Sequence, residues 1–259
     1  MKMKIEFYKY QGTGNDFVVL DNRNGQYNGL DAAQIEKLCN RKFGIGSDGL
    51  MLLELEDGYD FKMVYYNADG KLGSMCGNGG RCLVRFAHDR GIHSAHYKFI
   101  ATDGEHEAYI KDGRIHLKMQ DVHAVESRDR VKILNTGSPH YVSFVENVEG
   151  LDVLGEGRNI RYGAEFQAKG INVNFVCPHE IGIRVRTYER GVENETLSCG
   201  TGVTAAAIAH SSVEGRQELA IKVEGGSLAV SFNRINEQQY EDIWLIGPAE
   251  FVFKGEINC

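Results

Sequence analysis

Two of the six cysteines sit in nearly the same local sequence. One run reads Met75-Cys76-Gly77-Asn78-Gly79-Gly80-Arg81, and the other reads Ser198-Cys199-Gly200-Thr201-Gly202-Val203. Each Cys-Gly-polar-Gly run precedes a helix-like stretch ending in Ala-His, at Ala87-His88 and Ala209-His210. An ordinary thiol, with a pKa of about 8.5, is mostly protonated at neutral pH. A helix N-terminus stabilises the thiolate and lowers that value. The glycines leave backbone N–H groups unobstructed, so each helix start can also take an anion such as a carboxylate. Two such elements facing one another would place two thiols around one bound molecule. One thiolate could remove a proton from one face of a carbon while the opposite thiol returns one to the other face. Racemisation at carbon needs that arrangement.

The remaining sequence offers few rival chemistries. Cys39, Cys82, Cys177 and Cys259 read as small hydrophobes. No Cys-x-x-Cys occurs, the Cys76–Cys82 spacing is poor for zinc, and the nine histidines form no metal-ligand grouping, so no metal site is expected. Neither glycine run has the Gly-x-Gly-x-x-Gly pattern of a dinucleotide site, and the Walker-type phosphate loop is absent.

The two cysteines stand 123 residues apart, and that spacing recurs. Gly14-Asn15-Asp16-Phe17-Val18-Val19 falls on Gly137-Ser138-Pro139-His140-Tyr141-Val142 at the same offset, and Tyr66-Asn67 falls on Tyr188-Glu189 at 122. Two matches at 123 and one at 122 imply a duplicated unit, hence two similar domains with a ligand cleft expected between them. The 259 residues are enough for two domains of that size. The composition, 42% hydrophobic and 25% charged, excludes wholesale disorder. No apolar run approaches the roughly 20 residues that span a bilayer, and the N-terminus lacks the apolar core of a signal peptide. A cytoplasmic protein is expected, with its thiols reduced. The net charge of −7 argues against a general nucleic-acid or anionic-membrane partner.

The elements that would position these residues are mixed. In the first half, strands are expected at 4–10, 17–21, 49–55 and 61–66. The capping box Asp31-Ala32-Ala33-Gln34 should open a helix running to about Arg41. After the Cys76 loop a helix should run to Arg90 and stop at Gly91. Three strands joined at Asp103-Gly104 and Asp112-Gly113 close the half. The second half repeats the order, with strands near 131–135, 141–145, 172–176 and 183–188 and a helix around 151–160. The Cys199 loop and helix then lead to strands at 218–224, 227–233 and 241–246. The expected fold class is α+β.

Five segments carry a family resemblance across essentially the whole chain: Gly12-Thr13-Gly14-Asn15-Asp16-Phe17, Asn67-Ala68-Asp69-Gly70, Met75-Cys76-Gly77-Asn78-Gly79, Tyr188-Glu189-Arg190-Gly191 and Cys199-Gly200-Thr201-Gly202. Together they resemble diaminopimelate epimerases, cofactor-independent enzymes that interconvert LL- and meso-diaminopimelate. The resemblance implies two pseudo-symmetric lobes, each a curved, mostly antiparallel sheet around a central helix. Lobes at 1–119 and 120–249 are expected, with 250–259 returning to the first. The resemblance also implies that Cys76 and Cys199 are the acid/base thiols and that His140 and Glu189 help set their protonation. Asn15, Asn67, Asn172 and Arg190 would meet the distal end of the substrate. Backbone N–H groups at Gly77, Asn78, Gly200 and Thr201 would hold the carboxylate beside the reacting carbon. Ser138 would be a substrate contact that replaces the Asn of many members. Gly49 stands where some members carry a substrate-touching Gln, and the stretch from Glu189 to Cys199 is one residue longer than usual. The implied partner is a small molecule, no cofactor or metal is implied, and a homodimer stays open. The nearest alternative is a racemase or epimerase of the proline racemase-like group, against which Asn78 and Tyr188-Glu189-Arg190 speak. A dithiol redox protein and a non-catalytic binding module fit the paired thiols less well.

Overall fold

The computed structural model describes residues 3–259. The chain divides into two compact units. One takes the chain up to Leu117 and regains Pro248–Cys259; the other is Lys118–Gly247.

In the first unit, β1 (Lys4–Gly12) and β2 (Asn15–Asp21) are followed by α1 (Ala32–Cys39), β3 (Gly49–Glu54) and β4 (Phe61–Asn67). Then come α2 (Gly77–Asp89), β5 (Tyr97–Ala101), β6 (Gly104–Lys111) and β7 (Arg114–Lys118). The second unit holds β8 (Val125–Arg128), β9 (Val131–Asn135), β10 (Pro139–Phe144), α3 (Val153–Arg161), β11 (Asn172–His179) and β12 (Gly182–Glu189). It continues with β13 (Asn194–Thr196), α4 (Gly200–His210), β14 (Gly215–Val223), β15 (Gly226–Arg234) and β16 (Tyr240–Gly247). The chain then returns to the first unit as β17 (Glu250–Asn258).

The duplication read from the sequence is visible in the strand pairings. In the first unit β1 pairs antiparallel with β2, β2 parallel with β3, β3 antiparallel with β4 and β4 parallel with β5. In the second unit β9, β10, β11, β12 and β14 follow the same sequence of directions. Both units finish with antiparallel neighbours, β5–β6–β7 and β14–β15–β16. Each also gains an outer antiparallel strand, but from different ends of the chain: β17 on β1, and β8 on β9.

Each parallel step requires a crossover, and the four helices supply them. In the first unit β2 and β3 therefore meet a helix on each face, which explains their nearly continuous apolar runs. On β2 and β3, Val18, Leu20, Leu50 and Leu52 pack with Ile35 and Leu38 of α1. The alternate residues Phe17 and Met51 approach Gly79 of α2. In the second unit Val173, Phe175, Cys177 and Tyr188 pack with Val153 on the α3 side. By the two-residue alternation of a strand, Asn172, Asn174 and Thr187 look the other way, toward α4. α2 and α4 are buried on almost every side, Gly77–Val84 throughout and Gly202–Ala209 throughout. They are the central helices expected from the sequence.

The capping box at Asp31 is present, with its side chain accepting from the Gln34 N–H and Gln34 accepting from the Asp31 N–H. α1 ends at Cys39 rather than near Arg41. The reason is local: the Asn40 N–H turns back to the Lys37 carbonyl, and Gly44 packs so closely there that a Cβ would lie 2.7 Å from the Leu38 carbonyl oxygen. β8, β13 and β17 add to the strands expected.

The return of β17 has a measurable consequence. Its aromatic rings bear on the inner rings of β1, Phe253 on Phe7 at 5.9 Å and Phe251 on Tyr10 at 5.6 Å. Removal of residues 250–259 should lower amide protection along β1 at least tenfold in hydrogen exchange, while β11 and β12 keep theirs. Unchanged protection along β1 would contradict the pairing.

Candidate active site

Cys76 and Cys199 occupy the same structural position in the two units. Each is the N-cap residue of a central helix, with extended backbone at φ −101° and −117°. Their carbonyls accept the first helical hydrogen bonds, from Gly80 N at 2.7 Å and from Val203 N at 2.9 Å. Neither thiol caps its own helix by a side-chain hydrogen bond. The first helical residues are the expected anion-binding set, Gly77 and Asn78 in α2 and Gly200 and Thr201 in α4.

In the first unit Asn15 links the thiol to neighbouring polar groups. Its Oδ1 lies 3.9 Å from Cys76 Sγ and accepts from Asn78 Nδ2 at 3.3 Å. Its Nδ2 donates to Asp48. Beside it Asp16 is held by Lys9 at 2.6 Å and by Arg41 at 2.6 Å. Burial alone would raise the Asp16 carboxyl, but the bonds from Arg41 and Lys9 prevail and hold it at about 2.

Sequence reasoning passed over Arg81, which is the largest fully buried side chain. Its guanidinium donates to Gly77 O at 3.2 Å, Asn78 Oδ1 at 3.0 Å, Thr13 Oγ1 at 3.1 Å and Pro248 O at 3.4 Å. All four acceptors are neutral. Burial therefore weighs against its charge and brings it down to about 10, while a thiolate at Cys82 or Cys76 would favour it. Burial pushes the Cys82 thiol up to about 12, which fits a packing role. The signal for Arg81 was an arginine set between the glycines that open α2 and the apolar run Cys82-Leu83-Val84.

The second unit links its thiol to a set of neutral groups. His140 is fully buried, and desolvation together with the Arg190 charge holds its imidazole down to about 3. Ser138 Oγ lies 3.1 Å from His140 Nε2, 2.9 Å from Asn172 Nδ2 and 3.3 Å from Thr201 Oγ1. Thr201 Oγ1 in turn lies 3.6 Å from Cys199 Sγ. Asn174 Nδ2 lies 3.1 Å from His140 Nδ1, and its Oδ1 accepts from Thr187 at 2.9 Å. Asn174 and Thr187 were missed in the sequence. Their signal was the Asn172-Val173-Asn174 alternation, which puts two amides on one face of a strand.

Asn172 is committed on both sides of its amide. Nδ2 donates to Ser138 and to Pro139 O at 3.1 Å, and Oδ1 accepts from Arg190 N at 2.8 Å. With both amide hydrogens used, it can still accept one bond, so an ammonium group suits it and a carboxylate does not. The Arg190 side chain is exposed and donates to Lys169 O at 3.1 Å. Glu189 is half-buried and accepts from Thr196 at 2.9 Å. The longer stretch before Cys199 folds back as β13, fixed by a paired Arg186–Glu195 bridge at 2.7 Å. Asn67 is exposed at the end of β4, where its carbonyl accepts from Gly70 N in a tight turn.

Two glycines are required by close approach. A Cβ at Gly202 would collide with Asn174 Oδ1 and lie 3.3 Å from Cys199 Sγ. A Cβ at Gly49 would lie 2.5 Å from the Tyr65 ring and 2.7 Å from the Tyr66 carbonyl oxygen, which explains why no longer side chain stands there.

Comparison with known proteins identifies the lineage. The sequence model for "Diaminopimelate epimerase" matches residues 7–125 and 132–252. The chain belongs to the diaminopimelate epimerase family. The diaminopimelate epimerase of Flavobacterium psychrophilum is 51% identical over 98% of this chain and 100% of its own length. That of Chlorobaculum tepidum is 42% identical over 95% of this chain and 99% of its own. Among solved structures, a PhzF-family phenazine biosynthesis protein from Bacillus anthracis superposes with a TM-score of 0.77 at 13% identity, covering 98% of this chain and 99% of that one. A hydroxyproline epimerase from Agrobacterium vitis superposes with a TM-score of 0.66 at 13% identity, over 100% and 94%. At that identity the likeness concerns the fold.

The buried His140 sets a pH dependence whose sign is fixed. Its folded pKa is depressed, so the unfolded chain binds the extra proton once the pH falls below about 6.5. Stability should therefore fall from pH 6.5 toward 3, by up to about 1.4 kcal/mol per pH unit from this one group. Asp16 acts lower, its contribution being lost only as the pH falls from about 4 through 2. Urea unfolding between pH 7 and 4.5 should show a shallower decline for His140→Asn than for the unsubstituted protein. Equal slopes would refute the buried neutral imidazole.

Proposed function

We propose that this protein is a diaminopimelate epimerase, an isomerase that interconverts LL- and meso-diaminopimelate with Cys76 and Cys199 as its two acid/base thiols and with no cofactor. The observation that carries the reading is the recurrence of one device: a cysteine capping a buried central helix, twice, in two units with the same strand pattern. Full-length relatives bearing that name support the choice of substrate.

The chemistry follows from the groups present. The α-hydrogen of an amino acid is very weakly acidic, so charge must be stabilised as it leaves. Backbone N–H groups at Gly77, Asn78, Gly200 and Thr201 would hold the α-carboxylate, and the two helix N-termini would favour the negative charge growing there. One thiolate removes the proton and becomes a thiol, while the other thiol delivers its proton to the opposite face. The stereocentre is inverted and the enzyme is left with its protonation states exchanged. At the distal end, Arg190 would pair with the carboxylate, and Asn15, Asn67 and Asn172 would bind the remaining polar groups. The single acceptor left on Asn172 suits the ammonium. His140 and Glu189 would influence the thiols without touching the reacting carbon.

The setting agrees with this reading. No helix among the described residues is long and apolar enough to cross a membrane. We place the reaction in the cytoplasm, where reducing conditions keep both thiols active. The net charge of −7 offers no general attraction for nucleic acid. Each chain carries both thiols, so a homodimer would hold two complete sets.

Incubation with LL-diaminopimelate in heavy water should yield the meso form carrying deuterium at one α-carbon. Cys76→Ser and Cys199→Ser should each slow epimerisation by at least a thousandfold in both directions. Near-normal turnover by either variant would refute the two-thiol scheme. Turnover of proline or hydroxyproline in place of diaminopimelate would move the protein to the other group.

A further inference from the structure

We infer that Ser138 and Thr201 are positioning residues for the Cys199 sulfur, carrying a one-way chain of hydrogen bonds to it from the buried amide of Asn174. The inference rests on the reading of Cys199 as an acid/base thiol. It gives Ser138 a role other than the substrate contact expected from the family resemblance.

The direction of the chain is set at its far end. Asn174 Nδ2 donates to the Tyr141 carbonyl at 3.2 Å, and Asn174 Oδ1 accepts from Thr187, so the orientation of this amide is fixed. Its Nδ2 must therefore donate to His140 Nδ1, 3.1 Å away. A neutral imidazole has one donor and one acceptor. With Nδ1 accepting, the hydrogen of His140 is on Nε2, aimed at Ser138 Oγ.

Ser138 transmits that polarity because its oxygen is saturated. A hydroxyl has two lone pairs and one hydrogen. His140 Nε2–H fills one lone pair. Asn172 Nδ2 fills the other, in an orientation fixed independently by Pro139 O and Arg190 N. The single hydrogen of Ser138 is left for Thr201 Oγ1, the longest oxygen–oxygen link at 3.3 Å. Thr201 then accepts from Ser138 and turns its own hydrogen toward Cys199 Sγ at 3.6 Å. A thiolate is an acceptor only, so the arriving hydrogen favours thiolate over thiol. Ser138 keeps neither a donor nor an acceptor for a ligand.

The charged groups on the elements packed against α4 act beside this chain and are the same in the unsubstituted protein and in the variants below. His140 is neutral. Glu189 accepts from Thr196, and Arg190 donates to Lys169 O. On β15 Arg234 lies over the Tyr240 ring, and on β16 Asp242 is bound by Lys118 and Arg216. Lys132 on β9 bears on His210, at the opposite end of the helix.

The test is the pH dependence of iodoacetamide alkylation, read separately at Cys76 and Cys199 by peptide mass mapping on the full-length protein. It requires no substrate. Failure of the relay is therefore distinct from failure of the epimerase reading, which the deuterium experiment decides on unsubstituted protein. Ser138→Ala should move the Cys199 midpoint up by about one pH unit, a rate about tenfold lower at pH values below it. The Cys76 profile should stay in place. Thr201→Val should reproduce the shift, and Thr201→Ser, which restores the hydroxyl, should reverse it. These two variants carry the decision if Ser138→Ala does not fold. An unmoved Cys199 profile in Ser138→Ala, an equal shift at both cysteines, or indistinguishable Thr201→Val and Thr201→Ser profiles would overturn the relay.

Discussion

A helix buried on every side must still begin somewhere, and the N–H groups of its first turn have no earlier carbonyls to bond. Both units face that constraint at their centres. α2 and α4 are encased over most of their length, and in each the opening peptide follows a cysteine. Small residues make this possible. Gly79 takes the approach of Phe17 and Met51, and Gly202 takes that of the Asn174 amide. A larger side chain at either position would push the helix start away from the strands that define it. The positive end of each helix is thus held in place by packing, and any charge that develops before it meets dipoles already oriented.

The two starts share a scaffold and differ in their electrostatic surroundings. Behind Cys76 is a buried guanidinium with neutral acceptors. The position related to Arg81 by the 123-residue repeat is Thr204, whose hydroxyl merely returns to the Gly200 carbonyl at 2.9 Å. The groups linked to Cys199 through hydrogen bonds include an uncharged imidazole, two amides and three hydroxyls. A two-base reaction needs one thiolate and one thiol at any moment, and unlike surroundings give unlike resting states more readily than strict symmetry would. Duplication supplies the shared helix start, and divergence after it supplies the difference.

Much of this was legible in the sequence because the relevant signals are local. The paired Cys-Gly-polar-Gly runs, the capping box at Asp31 and the hairpins at Asp103-Gly104 and Asp112-Gly113 each carry their own turn chemistry. The end of α1 was less legible, since Asn40 and the packing of Gly44 decide it from outside the helix. β13 reads as a loop by composition and becomes a strand through its pairing with β12 and the Arg186–Glu195 bridge. Arg81 and Asn174 were passed over for a related reason. An arginine in a helix or an asparagine in a strand acquires meaning only from burial, and burial is set by elements far along the chain.

The strand that completes the first unit is made after the second. β8 precedes β9 in the chain, so the second unit has its outer strand in place before the rest of its sheet is synthesised. β1 is paired by β17, which follows all of β8–β16. On the ribosome the usual order, N-terminal domain first, is therefore inverted at this edge. The nascent first unit carries an open β-edge, a site for wrong pairing, through the time needed to translate about 130 further residues at roughly 5–20 per second.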